Sequence, residues 1–72
     1  MALYRVQIFT RREGDEKNPL LAIAAIVGKR VEELEPDRSG IPFGVVTLVV
    51  EGDGVVVRNI QGLGCTVRRI SR

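Results

Sequence analysis

Arginine is the residue type in this sequence that is best suited to binding chemistry. Eleven of the 72 residues are Lys or Arg, against nine Asp or Glu, and there is no histidine. A guanidinium group neutralises phosphate or carboxylate, and its apolar stem covers neighbouring side chains. A cluster of arginines is therefore typical of a nucleic-acid surface or of a protein interface. The candidate nucleic-acid-binding residues are Arg5, Arg58, Arg68, Arg11 and Arg12.

Cys65 is the only cysteine, which limits the covalent and metal chemistry that the chain can perform. A cysteine nucleophile needs a neighbouring base, and histidine, the usual base, is missing. One cysteine can form neither an intramolecular disulfide nor a typical zinc site. We therefore expect Cys65 to behave as a small buried hydrophobe, and we expect no cofactor.

The acidic residues also give no sign of a catalytic site. A general acid and base must lie together in a cleft, whereas all nine carboxylates fall in predicted loops, turns or a helix end. Side chains of this type are mostly exposed. The sequence therefore predicts a protein that is not an enzyme.

Two glycine-rich segments resemble phosphate-binding loops only in their spacing. They are Gly52-Asp53-Gly54 and Gly62-Leu63-Gly64. A phosphate loop joins a strand to the start of a helix. Both segments lie between predicted strands, so hairpin turns explain them better.

The first half of the chain predicts a strand followed by a helix. Residues 2–10 alternate between apolar and polar side chains, as in a half-buried strand. Asn18 and Pro19 are good residues for a helix start. A stripe of apolar residues at helical spacing then extends to Pro36, which ends the helix. The predicted helix is 19–35.

The second half of the chain predicts three strands, because valine, isoleucine and threonine dominate it. The strands are 45–50, 55–60 and 65–70, separated by the two glycine-rich turns. The order β-α-β-β-β predicts an α+β fold in which one helix packs on a four-stranded, mostly antiparallel sheet. The whole chain, 1–72, is expected to be a single small domain.

The strands predict a sheet with two different faces. Residues directly opposite each other in a hairpin share a face, which places Leu48, Val57 and Val67 under the helix. The second face mixes apolar side chains with arginines. A shorter second turn would reverse the last strand, so the sequence leaves open which face carries Arg68. The candidate interface residues on the second face are Phe9, Thr47, Val49, Val56, Ile60 and Ile70.

A single helix covers only one face of such a sheet, and this geometry leads to the predicted function. Apolar surface left over is typical of an interaction site, and a chain this short often needs a partner for stability. We expect a binding or assembly module that forms a homodimer or joins a protein partner. The alternative is a nucleic-acid-binding regulator that uses Arg5, Arg58 and Arg68. A small-molecule ligand is not expected.

The location is expected to be the cytoplasm. The start of the chain has no apolar segment of the kind that follows the charge of a signal peptide. The longest apolar run, Leu20 to Val27, is far shorter than the roughly 20 residues that span a bilayer, so no membrane partner is expected. A free cysteine fits a reducing compartment.

Overall fold

In the computed structural model, which describes residues 2–70, a three-stranded sheet carries two helices on one side. The α+β class is therefore confirmed. The strands are β1 (Ala2–Phe9), β2 (Val45–Gly52) and β3 (Thr66–Arg69), and the helices are α1 (Lys17–Val27) and α2 (Gly54–Gln61). Two short 3-10 helices, Val31–Glu33 and Ile41–Phe43, lie in the connection between α1 and β2.

The central strand is β1, and it pairs with its neighbours in antiparallel orientation on both sides. Because β2 and β3 both run opposite to β1, they run parallel to each other. The helix α2 joins them, and β1 lies between them. This is a split β-α-β unit, and it replaces the predicted antiparallel meander of the last three strands.

The predicted strand 55–60 is wrong, because these residues belong to α2. Three consecutive valines favour a strand, but Asp53 caps a helix: its carboxylate accepts N–H groups from Val55 and Val56 at 3.0 and 3.1 Å. Ile60, four residues after Val56, is then fully buried. Capping and burial of one helix face together override the strand propensity of the valines.

The first helix is shorter than predicted. It begins at Lys17 rather than after an Asn18 cap, and it ends before Gly28, which has a left-handed φ of 71°. The N–H of Lys29 donates to the carbonyl of Ala24 at 2.9 Å, as is common at glycine helix ends. Gly28 therefore ends the helix, and residues 31–33 form a separate turn.

The core lies between the sheet and the two helices. Val6 and Ile8 of β1, Val46 of β2, Ile23 of α1 and Ile60 of α2 are each at most 2% exposed. The inward side chains of β1 and β2 are those expected from their alternation. The second helix therefore packs on the same side as the first and leaves the other side of the sheet uncovered by helix.

A single residue occupies the position that a fourth strand would take. Asp37 pairs with Thr47 at the outer edge of β2. The N–H of Asp37 donates to the Thr47 carbonyl at 2.6 Å, and the N–H of Thr47 donates to the Asp37 carbonyl at 3.0 Å. The order across the sheet is therefore Asp37, β2, β1 and β3, and these four positions are named here its columns.

Candidate interaction site on the open face of the sheet

The side of the sheet away from the helices is named here the open face. Strand register divides it into rows that run across the sheet. The rows are Phe9 with Val45; Gln7 with Thr47 and Thr66; Arg5 with Val49 and Arg68; and Leu3 with Glu51 and Ile70, whose N–H donates to the Leu3 carbonyl at 2.9 Å.

Apolar side chains on the open face are strongly exposed to solvent. Phe9 is 62% exposed and Val49 is 49% exposed, and Leu3 and Ile70 are each about 40% exposed. Their counterparts on the helix side, such as Val6 and Leu48, are at most 3% exposed. Apolar groups concentrated on one surface are typical of an interaction site.

Two arginines lie opposite each other near the centre of this face. Arg5 pairs in register with Arg68, and the next row pairs Gln7 with Thr66. These four side chains line a shallow cavity of about 130 Å³ that no carboxylate borders. Within residues 2–70, neither arginine forms an ion pair. Like charges placed opposite each other are destabilising, so the site is suited to an added anionic group.

Three carboxylates border the outer side of β2 and are named here the acidic edge: Glu33, Glu35 and Asp37. Together with Arg5 and Val49, they line a wider cavity of about 470 Å³. The open face therefore has opposite charges on its two sides, with carboxylates on and beyond β2, Glu51 included, and arginines on β1 and β3.

Two carboxylates of the acidic edge are already held by their own backbone. Glu33 accepts the N–H of Arg30 at 3.1 Å, and Asp37 accepts the N–H of Ser39 at 2.8 Å. The hydrogen bonds from Ser39 hold the pKa of the Asp37 carboxyl below its ordinary value. Glu35 has no such bond within the described chain, and it has a left-handed φ of 47°. Glu35 is therefore the carboxylate that is free to pair with a new cation.

The structure brings together most of the predicted interface residues and separates the others. Phe9, Thr47, Val49 and Ile70 lie on the open face. Val56 and Ile60 lie in α2 on the opposite side of the sheet, so their placement on this face was wrong.

The predicted basic residues are divided in the same way. Arg5 and Arg68 lie on the open face, whereas Arg58 lies in α2 and cannot join them. Arg11 and Arg12 follow β1 in an exposed turn, where their backbone N–H groups donate to the Asp15 carboxylate at 2.9 and 2.8 Å. The predicted cluster of arginines is therefore a pair on the sheet with two further arginines beyond its end.

Sequence reasoning missed the acidic edge and did not include Phe43 among the candidate interface residues. Phe43 is 88% exposed, and it lies just before Val45, the register partner of Phe9. The predicted helix 19–35 places Glu33 and Glu35 at its end and Asp37 in the loop that follows, so the sequence gives no reason to expect the three carboxylates together. Its signal was Gly28, which is a common residue at a helix end.

The glycine-rich segment 52–54 lies between a strand and a helix, not between two strands as predicted. The reason for setting aside a phosphate loop was therefore wrong. However, the carboxylate of Asp53 already accepts the first N–H groups of α2. A bound phosphate would have to displace that negative charge, so this helix end is not a candidate phosphate site.

The environment of Cys65 agrees with the role expected for it. The side chain is buried in the core beside β3. Burial raises the pKa of the Cys65 thiol, because a thiolate is poorly solvated there. The thiol is therefore uncharged and unreactive near neutral pH.

Comparison of the chain with known protein families, curated proteins and solved structures finds no match. Within residues 2–70, neither helix has the length and apolar character needed to cross a membrane. The function must therefore be argued from the open face itself.

Proposed function

We propose that this chain is a non-enzymatic assembly module that pairs with a second copy of itself, alone or within a larger complex, through the open face. The observation that carries the proposal is the contrast between the two sides of the sheet. One side is buried under both helices, and the other exposes Phe9, Val49 and Ile70. Covering these groups removes apolar surface from water, which is the main driving force for association.

The size of the chain supports the same proposal. A domain of about this length buries only roughly 60% of its unfolded surface, so its core alone gives marginal stability. A single cysteine cannot form a disulfide within the chain. A second copy supplies the missing stabilisation, provided that it covers about 800 Å² on each partner. The free thiol is compatible with a reducing compartment, and we place the module in the cytoplasm.

The direct test is the mass of the protein in solution as a function of concentration. Sedimentation equilibrium should show a concentration-dependent dimer for the wild type. Phe9→Glu places a carboxylate in the row that Phe9 forms with Val45 on the open face and should weaken self-association by about tenfold or more, because a buried unpaired charge is costly.

Leu21→Glu is the matched control for this test. Leu21 is 56% exposed, close to the 62% of Phe9, but it lies on α1, away from the open face. A glutamate there should leave the dimer dissociation constant within about twofold of the wild type. A wild-type protein that stays monomeric at millimolar concentration, or equal losses for the two variants, contradicts the proposal.

A second candidate function is binding of a single-stranded nucleic acid, and the pairing of Arg5 with Arg68 favours it. Arginines neutralise phosphates, and Phe9 offers a surface for stacking a base. Titration with a fluorescent oligonucleotide should then give binding that weakens steeply with salt. Arg5→Ala with Arg68→Ala should abolish it, whereas Arg58→Ala, on α2, should not. Binding that survives the double change, or that is lost equally in the Arg58 variant, rejects this candidate.

A further inference from the structure

The charge pattern of the open face also determines how two copies fit together, given the proposed self-association. The sheet has four columns, in the order Asp37, β2, β1 and β3. Carboxylates border the first column, Glu51 lies at the end of the second, and arginines belong to the last two. The charge on the face therefore changes from negative to positive across the strands. The two-fold axis of a symmetric dimer determines whether like or opposite charges meet.

Glu35 lies at the level of the arginine row. Asp37 pairs with Thr47. Glu35, two residues before Asp37, lines one cavity with Val49, two residues after Thr47, and with Arg5. Val49 is the register partner of Arg5, and Arg5 is that of Arg68. Across the face, this row therefore consists of an acidic, an apolar and two basic side chains, in the order Glu35, Val49, Arg5 and Arg68.

Two open faces can pack on each other with a two-fold axis perpendicular to the strands or parallel to them. A perpendicular axis places each column over its own copy, so the acidic edge faces the acidic edge. A parallel axis between β1 and β2 exchanges the columns. It places β3 over the acidic edge of the second copy and β1 over the β2 of the second copy.

We propose that the two copies pack with the parallel axis, so that Arg68 of each copy forms an ion pair with Glu35 of the other. In the same arrangement, the stem of Arg5 lies over Val49 of the second copy. Each copy then supplies the anion that the Arg5–Arg68 pair lacks, and Glu35 gains the cation that its own chain does not provide. Opposite charges that meet across an interface favour one orientation over its alternatives.

The test reverses each charge separately and then combines the two variants. Arg68→Glu and Glu35→Arg each bring like charges together twice in the homodimer, and each should raise the dissociation constant by about tenfold or more. In an equimolar mixture, the carboxylate introduced at position 68 of one chain meets the guanidinium introduced at position 35 of the other. The second contact of the mixed dimer is the native one. The mixed dimer should therefore form with a dissociation constant within about threefold of the wild type.

Controls separate this inference from the proposed function. Arg58→Glu reverses a charge on α2 and should leave association unchanged, and circular dichroism should confirm that every variant folds. If a reversed variant does not fold, Arg68→Gln and Glu35→Gln replace the pair, and each should lessen the salt dependence of the dimer. A wild-type monomer overturns the proposed function. A wild-type dimer that tolerates both single reversals, or folded variants whose mixture does not associate, overturns only the ion pair and its axis.

Discussion

Burial determines the chemistry of Cys65, the only thiol of the chain. Because desolvation raises the pKa of this thiol, the neutral form is favoured in the folded state. The contribution of the neutral thiol to the free energy of unfolding is fully present below the unfolded-state pKa of 9.0. This contribution is lost as pH rises through the higher folded-state pKa.

We therefore predict that the free energy of unfolding decreases more in the wild type than in Cys65→Ala between about pH 8 and 10.5, a window around the ordinary thiol pKa. Urea unfolding at several pH values measures this difference. Tyrosine and lysine titrate in the same range, but they are common to both proteins. Parallel pH profiles for the two proteins would show that the thiol is not protected by burial.

Among the elements, α2 depends on the different roles of the two glycines beside Asp53. A methyl group on Gly52 would lie 2.7–3.0 Å from Val56, whereas a methyl group on Gly54 would meet no atom within 4 Å. We predict that Gly52→Ala destabilises the fold by about 1–3 kcal/mol through overpacking. Gly54→Ala should stabilise it by about 0.5–1 kcal/mol, because alanine is the better helix residue.

Thermal or urea unfolding of these two variants tests the contact between α2 and the end of β2. The variants differ only in position, two residues apart, so each serves as the control for the other. If both substitutions changed stability in the same direction, α2 would not begin and pack as described.

The three strands of the structure were predictable from sequence, but the second helix was not, since its residues predict a fourth strand. Alternation in β1 and β2 identified their buried faces, since a one-residue change in phase would expose Val6 and Leu48. Residues 55–57 are three strand-forming valines, and Gly52-Asp53-Gly54 has the composition of a hairpin turn. The side-chain cap of Asp53 and the burial of Ile60 distinguish the two outcomes. The cap is a local signal that the turn interpretation overlooked, whereas the burial of Ile60 depends on tertiary structure.

For the candidate site, the pattern predicted the open face but not its charge asymmetry. Arg5, Val49 and Phe9 were placed correctly because their strands alternate regularly. The acidic edge depends on where α1 ends, and Gly28 ends it early through a left-handed backbone. The chain that follows Gly28 then reaches the outer side of β2, which periodicity alone does not predict.

For the whole molecule, self-association predicts that stability depends on protein concentration. A hundredfold increase in concentration should raise the melting temperature of the wild type by about 5–10 °C. Only folded chains associate, so the increase stabilises the dimer by about 2.7 kcal/mol, or about 1.4 kcal/mol per chain. In a domain of this size, 1 kcal/mol corresponds to about 4–8 °C. Scanning calorimetry at two concentrations measures the shift. Phe9→Glu, whose dimer is weaker, should melt below the wild type at both concentrations, and a wild type whose melting temperature does not shift would contradict the coupling of folding to assembly.

The single Asp37–Thr47 bridge also has a consequence for misassembly. Thr47 uses both of its outward backbone groups on Asp37, but Val49 faces the same outer edge of β2, and within residues 2–70 no backbone group pairs with it there. An edge of this kind is a template on which foreign strands can add and grow into fibrils. The carboxylates of the acidic edge oppose such growth, because identical chains stacked along that edge would bring like charges together.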